Sequence, residues 1–202
     1  MAVDMTDTSG GDTAKHPHIL LGVTGSVAAI KVPDLATLLS ALGTVRVVTT
    51  AAATHFFSED ALPADARPVL GDDGEWSTWN QKGDPVTHIE LRKWADCMVI
   101  APLSANTLAK CAQGLCDNLL TCIVRAWDFS KPLLLAPAMN TMMWDSPFTG
   151  RQLAELETMG ATVIAPMSKA LACGDVGTGA MAEVHTVLEK VKGCLDRLPV
   201  CV

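Results

Sequence analysis

The chain has 202 residues, enough for one sizeable α/β domain with a buried core. Hydrophobic residues make up 49% and charged residues 18%, a mixture too apolar for a disordered chain. A net charge of -7 argues against nucleic acid as a partner, and no apolar run approaches the roughly 18 residues that a membrane span needs.

Residues 1–16 are polar and rich in Gly, Asp and Thr, and read as a disordered N-terminal tail ahead of a single domain over 17–198. Their acids and lack of an apolar stretch do not read as a signal peptide, so a cytoplasmic protein is expected. An apolar run at 19–23 predicts a buried strand ending in Thr24-Gly25-Ser26, with an amphipathic helix near 27–42 behind it. A second strand at 45–48 ends in Thr49-Thr50. The stretch that follows carries Trp76 and Trp79 and shows no clear periodicity. Pro85 biases Asp84 away from helix, so 84–90 is expected to be extended. His88 and Glu90 would then share one side, where Glu90 influences the imidazole.

A third strand at 97–101 leads into two helical segments within 104–127, and a fourth at 133–136 leads into Pro137-Ala138-Met139-Asn140. Ser146-Pro147 starts a helix that Gly160 stops. A fifth strand at 162–165, a glycine-rich loop at 172–183 and a helix near 184–198 complete the chain.

Short apolar strands alternating with helices predict an α/β fold: one doubly wound parallel sheet, a Rossmann/flavodoxin-like three-layer sandwich. Ligands of such folds sit outside the carboxyl ends of the strands. Four strand ends here carry Ser, Thr or Asn. Capping of the following helices would explain any one of them, but four together favour a phosphate-bearing ligand. The segment 22–26 lacks the Gly-x-Gly-x-x-Gly pattern, and no acid follows the second strand, so a dinucleotide fits poorly. A mononucleotide such as flavin mononucleotide (FMN) fits better.

Seven Cys, five His and no Tyr leave proton chemistry to His, Cys, Lys or a carboxylate. The Cys spacings hold no Cys-x-x-Cys pair, so no metal site is expected and the thiols should be reduced. Cys173 is the one cysteine in the glycine-rich loop. Cys97 falls on a strand, and Cys111, Cys116, Cys122 and Cys194 are read onto helices in packing roles.

Six segments carry a resemblance over roughly residues 18–191: GVTGSVAAIK at 22–31, HIELRKWAD at 88–96, APLSANTLAK at 101–110, GLCDNLLTCIVRAWD at 114–128, PAMNTMMW at 137–144 and ACGDVGTGAMAE at 172–183. Together they resemble the homo-oligomeric flavin-containing cysteine decarboxylase family. The resemblance implies a carboxy-lyase that uses FMN to convert 4'-phospho-N-pantothenoylcysteine, a phosphorylated small molecule, to 4'-phosphopantetheine in coenzyme A biosynthesis. In that chemistry the flavin oxidises the cysteine moiety, carbon dioxide leaves, and the electrons return to the enethiol. Carried over by motif, His88 is the base, Asn140 holds the substrate carboxylate and Cys173 is the acid of the reductive step. Ala170, Leu171 and Ala172 belong to a flap over the substrate. Gly25, Ser26, Val27, Thr49, Phe56, Ser104, Ala105, Asn106 and Thr107 match positions near the flavin. A homotrimer is implied.

Many bacterial family members carry Arg where this flap has Ala180, so that Arg's contacts do not transfer. A peptidyl-cysteine decarboxylase with the same chemistry is the runner-up reading. A non-catalytic regulatory subunit ranks lower, because both His88 and Cys173 are present.

Overall fold

The structure, a computed structural model, describes residues 16–170 and 176–198. Five parallel strands form the central sheet: β1 (His18–Val23), β2 (Thr44–Thr49), β3 (Cys97–Leu103), β4 (Leu133–Pro137) and β5 (Thr162–Val163). Their order is β2-β1-β3-β4-β5, so the chain reverses its winding direction between β1 and β3. The fifth strand is only two residues long, half the expected run.

Eight α-helices accompany the sheet among the described residues: α1 (Val32–Ser40), α2 (Asp72–Thr78), α3 (Thr87–Trp94), α4 (Ala105–Gln113), α5 (Leu119–Arg125), α6 (Thr141–Trp144), α7 (Pro147–Thr158) and α8 (Val184–Leu195). The helix expected at 27–42 is divided, because residues 27–31 form a 3-10 turn before Pro33 settles into the first turn of α1.

The pleat sorts the strand residues into two apolar layers. Ile19, Leu21 and Val23 of β1 face one side, where Leu35 and Leu39 of α1 and Val187 and Val191 of α8 cover them. Leu20 faces the other side, with Met98, Ile100 and Leu135, against Leu91 of α3, Leu108 of α4, Leu120 and Ile123 of α5 and Leu156 of α7. Apolar burial on both faces is what a continuous Val/Ile/Leu strand requires, so the three-layer expectation holds.

Two expectations fail. Residues 87–94 are helical rather than extended. His88, Leu91 and Ala95 recur at i, i+3 and i+7, and Leu91 and Ala95 are buried; that helical spacing outweighs the bias of Pro85, which ends two residues earlier. On a helix, positions 88 and 90 point to nearly opposite sides, so Glu90 does not sit beside the imidazole; it pairs with Lys93 instead, at 2.8 Å. The glycine-rich stretch is likewise not simply a loop. Strands β6 (Met167–Ala170) and β7 (Val176–Ala180) form an antiparallel pair, in which Ser168 and Thr178 share a 2.6 Å hydroxyl hydrogen bond.

Candidate active site

The carboxyl ends of β1, β3 and β4 are tied together by short polar bonds. Thr24, fully buried, donates from Oγ1 to the Pro102 carbonyl at 2.8 Å and accepts from the Ser104 amide at 2.7 Å. The Ala138 amide donates to Leu103 across to β4 at 2.9 Å. The carboxyl edge of the sheet gathers Gly25, Ser26 and Val27 after β1, Thr49 at the end of β2, Ser104 with Ala105, Asn106 and Thr107 at the start of α4, and Asn140 after β4.

Capping accounts for much of what these side chains do. Ser26 Oγ accepts from Ala28, Ser104 Oγ from Thr107, and Asn140 Oδ1 from Met142. Capping does not use everything at this edge. Thr50 Oγ1, beside the ends of β1 and β2, is buried with no protein partner among the described residues. The first amides of α4, at Ala105 and Asn106, have no carbonyl within the helix to bind. A Cβ on Gly25 would come within 2.6 Å of Ala52 Cβ, so the β1 loop and the 3-10 turn after β2 touch only because position 25 has no side chain. Phe56, half-buried, packs on the α1 side of the core. An unpaired buried hydroxyl beside the ends of β1 and β2 and free helix-start amides at the head of α4 suit an anionic ligand, as the phosphate of FMN would be.

Strand β7 packs against the loop that follows β4. The Met139 amide donates to the Gly179 carbonyl at 2.9 Å, and a Cβ on Gly177 would strike the Thr141 side chain. Gly179 itself has φ +140°, and a Cβ there would come within 2.4 Å of the Met139 carbonyl oxygen. Gly179→Ala should therefore lift β7 away from Asn140 and lower stability by about 1–3 kcal/mol, read as a lower Tm. An unchanged Tm contradicts this placement. Ala170 ends β6 and Ala180 ends β7. Leu171, Ala172 and Cys173 lie outside the described residues.

His88 is brought to the same edge by a different element. Trp94, at the end of α3, stacks on His18 at the amino end of β1, with ring centroids 4.6 Å apart. The helix thus runs antiparallel to the strands, and its first turn, with His88, lies toward their carboxyl ends. Its side-chain partner is Glu75 of α2, with Nδ1 2.5 Å from Oε1, rather than a residue of the strand-end loops. Glu75 was not legible in the sequence. It precedes His88 by 13 residues, and Gly74 beside it argues against a helix.

Cys122 of α5 completes a trio, its Sγ within 4.8 Å of the other two donor atoms. Burial, and then the Glu75 charge, pushes this thiol up to about 11, so it stands protonated near neutrality. Donors to one zinc ion sit about 3.3 Å apart when each lies about 2.0–2.2 Å from the metal. The 2.5 Å His88–Glu75 contact is that of a hydrogen bond. Of the other cysteines, Cys111 is pushed up to about 12 by burial, and burial holds Cys97 well above the usual thiol range, as packing roles require. Cys116 is exposed on the turn between α4 and α5, not on a helix as expected.

Comparison with known proteins finds relatives across nearly the whole chain. A family model described as Flavoprotein matches residues 7–196. A phosphopantothenoylcysteine decarboxylase of Glycine max is 56% identical over 187 residues, covering 92% of this chain and 88% of that protein. Among solved structures, a cysteine-to-serine mutant of PPC decarboxylase complexed with pantothenoylaminoethenethiol superposes with TM-score 0.88 at 53% identity, covering 90% of this chain and all of that one. An FMN binding protein superposes with TM-score 0.86 at 52% identity, covering 92% of this chain and 100% of that one.

Proposed function

The chain belongs to the Flavoprotein family, and on that premise we propose that it decarboxylates 4'-phospho-N-pantothenoylcysteine to 4'-phosphopantetheine with FMN. The observation that carries the reading is the extent of likeness: more than half the positions are identical to a named decarboxylase across nearly the whole of both chains. The flavoprotein domain spans 17–198.

Bound at the β1/β3 crevice, FMN supplies reversible two-electron chemistry on the substrate's cysteine moiety. The chain's own residues then have four tasks. The loop at Gly25–Val27, Thr49 at the end of β2, and Ser104 with the first turn of α4 to Thr107 would hold the cofactor, the amides of Ala105 and Asn106 being open to a phosphate. Asn140, fixed by its own cap bond to Met142, presents its amide to the substrate carboxylate. His88 moves the proton at Nε2, the ring nitrogen that Glu75 does not hold. Cys173, on the flap with Ala170, Leu171 and Ala172, delivers a proton when the enethiol is reduced. A thiol of ordinary pKa, about 8.5, still carries that proton at neutral pH. The bound compound in the cysteine-to-serine relative is an ethenethiol, the class of molecule left when this last step is blocked.

Assembly as a homotrimer is part of the same proposal. Val27, Ile30, Met142, Met143 and Phe148 are large apolar side chains left exposed around the loops of the site, with Met142 76% and Phe148 62% exposed. Exposed apolar side chains of this size are what a subunit boundary covers. A cytoplasmic setting is part of the same reading, since the five described cysteines are free thiols, the state a reducing compartment maintains.

The substrate class is tested by comparing turnover of 4'-phospho-N-pantothenoylcysteine with that of a peptide ending in cysteine. Preference for the phosphorylated substrate supports the proposal. Preference for the peptide replaces it with peptidyl-cysteine decarboxylation.

A further inference from the structure

The structure assigns Glu75 as the positioning residue of His88: its carboxylate fixes which imidazole nitrogen carries hydrogen and where the other one faces. The inference deepens the reading of His88 as the proton-moving group and rests on it. A carboxylate oxygen accepts, so at 2.5 Å the Nδ1–H of His88 donates to Glu75 Oε1. Nε2 is left as the nitrogen that exchanges a proton with substrate. The pair is sheltered, with the Glu75 side chain 10% exposed and that of His88 26% exposed, so water competes weakly for the bond.

The carboxylate is held in place by a second contact on the same short helix. Asp72, one turn before Glu75, accepts the Leu119 amide through Oδ1 at 2.8 Å and so pins α2 to the start of α5. Leu119 and Cys122 lie three residues apart on one face of α5. Asp72 meets the first and Glu75 lies beside the second. Cys122 Sγ donates to the Cys116 carbonyl, 3.5 Å away, and does not contribute a second carboxylate-like charge to the imidazole. Three elements, α2, α3 and α5, thus converge on one imidazole, and Glu75 is the group among them that reaches a ring nitrogen. Carboxylate–imidazole pairs of this kind orient the ring and stabilise the imidazolium that forms during proton transfer.

The test uses flavin-loaded protein with Glu75→Leu and Glu75→Gln. Nitrogen-15 NMR of histidine-labelled protein should show His88 as the Nδ1–H tautomer in the wild type, with the Nε2–H tautomer appearing in Glu75→Leu. For either variant kcat should fall about 10- to 1,000-fold while KM moves by less than about threefold, because Glu75 does not touch substrate. The assignment is overturned if Glu75→Leu keeps the Nδ1–H tautomer. It is overturned as well if Glu75→Gln, folded with the wild-type Tm, keeps kcat within about threefold. Should His88 itself prove dispensable, the reading of the reaction fails, yet the tautomer measurement still decides the Glu75 contact on its own.

Discussion

His88→Gln is expected to retain bound flavin and the wild-type fold while losing about 10²- to 10⁴-fold in decarboxylation rate, the usual worth of a positioned acid–base group. Glutamine is the informative replacement. Its side-chain amide can still donate to Glu75, which leaves the buried carboxylate satisfied, but it has no titratable nitrogen to pass a proton. The fall should therefore appear in kcat, with flavin absorbance and Tm close to those of the parent. A rate within about threefold of wild type would remove His88 from the chemistry.

The second large effect is a change of product rather than of rate. Cys173→Ser should still release carbon dioxide, and the oxidised, decarboxylated enethiol should accumulate in place of the saturated thiol. A serine hydroxyl is a far weaker acid than a thiol with pKa about 8.5, so only the step that consumes Cys173's proton is blocked. Mass spectrometry of a single-turnover mixture distinguishes the two products by two hydrogens. Formation of the saturated product at the parental rate would show that another group supplies this proton.

What could be read from the sequence follows from which signals are local. Ile19–Leu21, Val47–Val48 and Leu133–Leu135 are continuous apolar runs whose burial on both faces admits little besides a central parallel strand. The strand ends were legible for the same reason, since whatever follows such a strand lies at the edge where ligands bind. Asn140 lies just past the end of β4, as the strand pattern implies, although the short helix α6 that it caps was not expected.

The pairing at His88 was misplaced because two local signals conflicted. Pro85 favoured an extended chain, whereas the His88, Leu91, Ala95 spacing favoured a helix, and burial of the last two decided it. Glu75 gave no local signal at all. Its role depends on Asp72 reaching the first amide of α5, a contact 47 residues away in sequence. The β6–β7 pair was hidden by Gly177 and Gly179, which lower strand propensity but are there because Thr141 and the Met139 carbonyl approach so closely.

The most direct test of the central claim is an anaerobic absorption spectrum of the purified protein, recorded before and after adding 4'-phospho-N-pantothenoylcysteine. The protein should be yellow, with a flavin absorbance that falls on mixing and recovers as carbon dioxide and 4'-phosphopantetheine appear. A colourless protein that cannot be loaded with FMN, or a yellow one whose spectrum and substrate both stay unchanged, would contradict it.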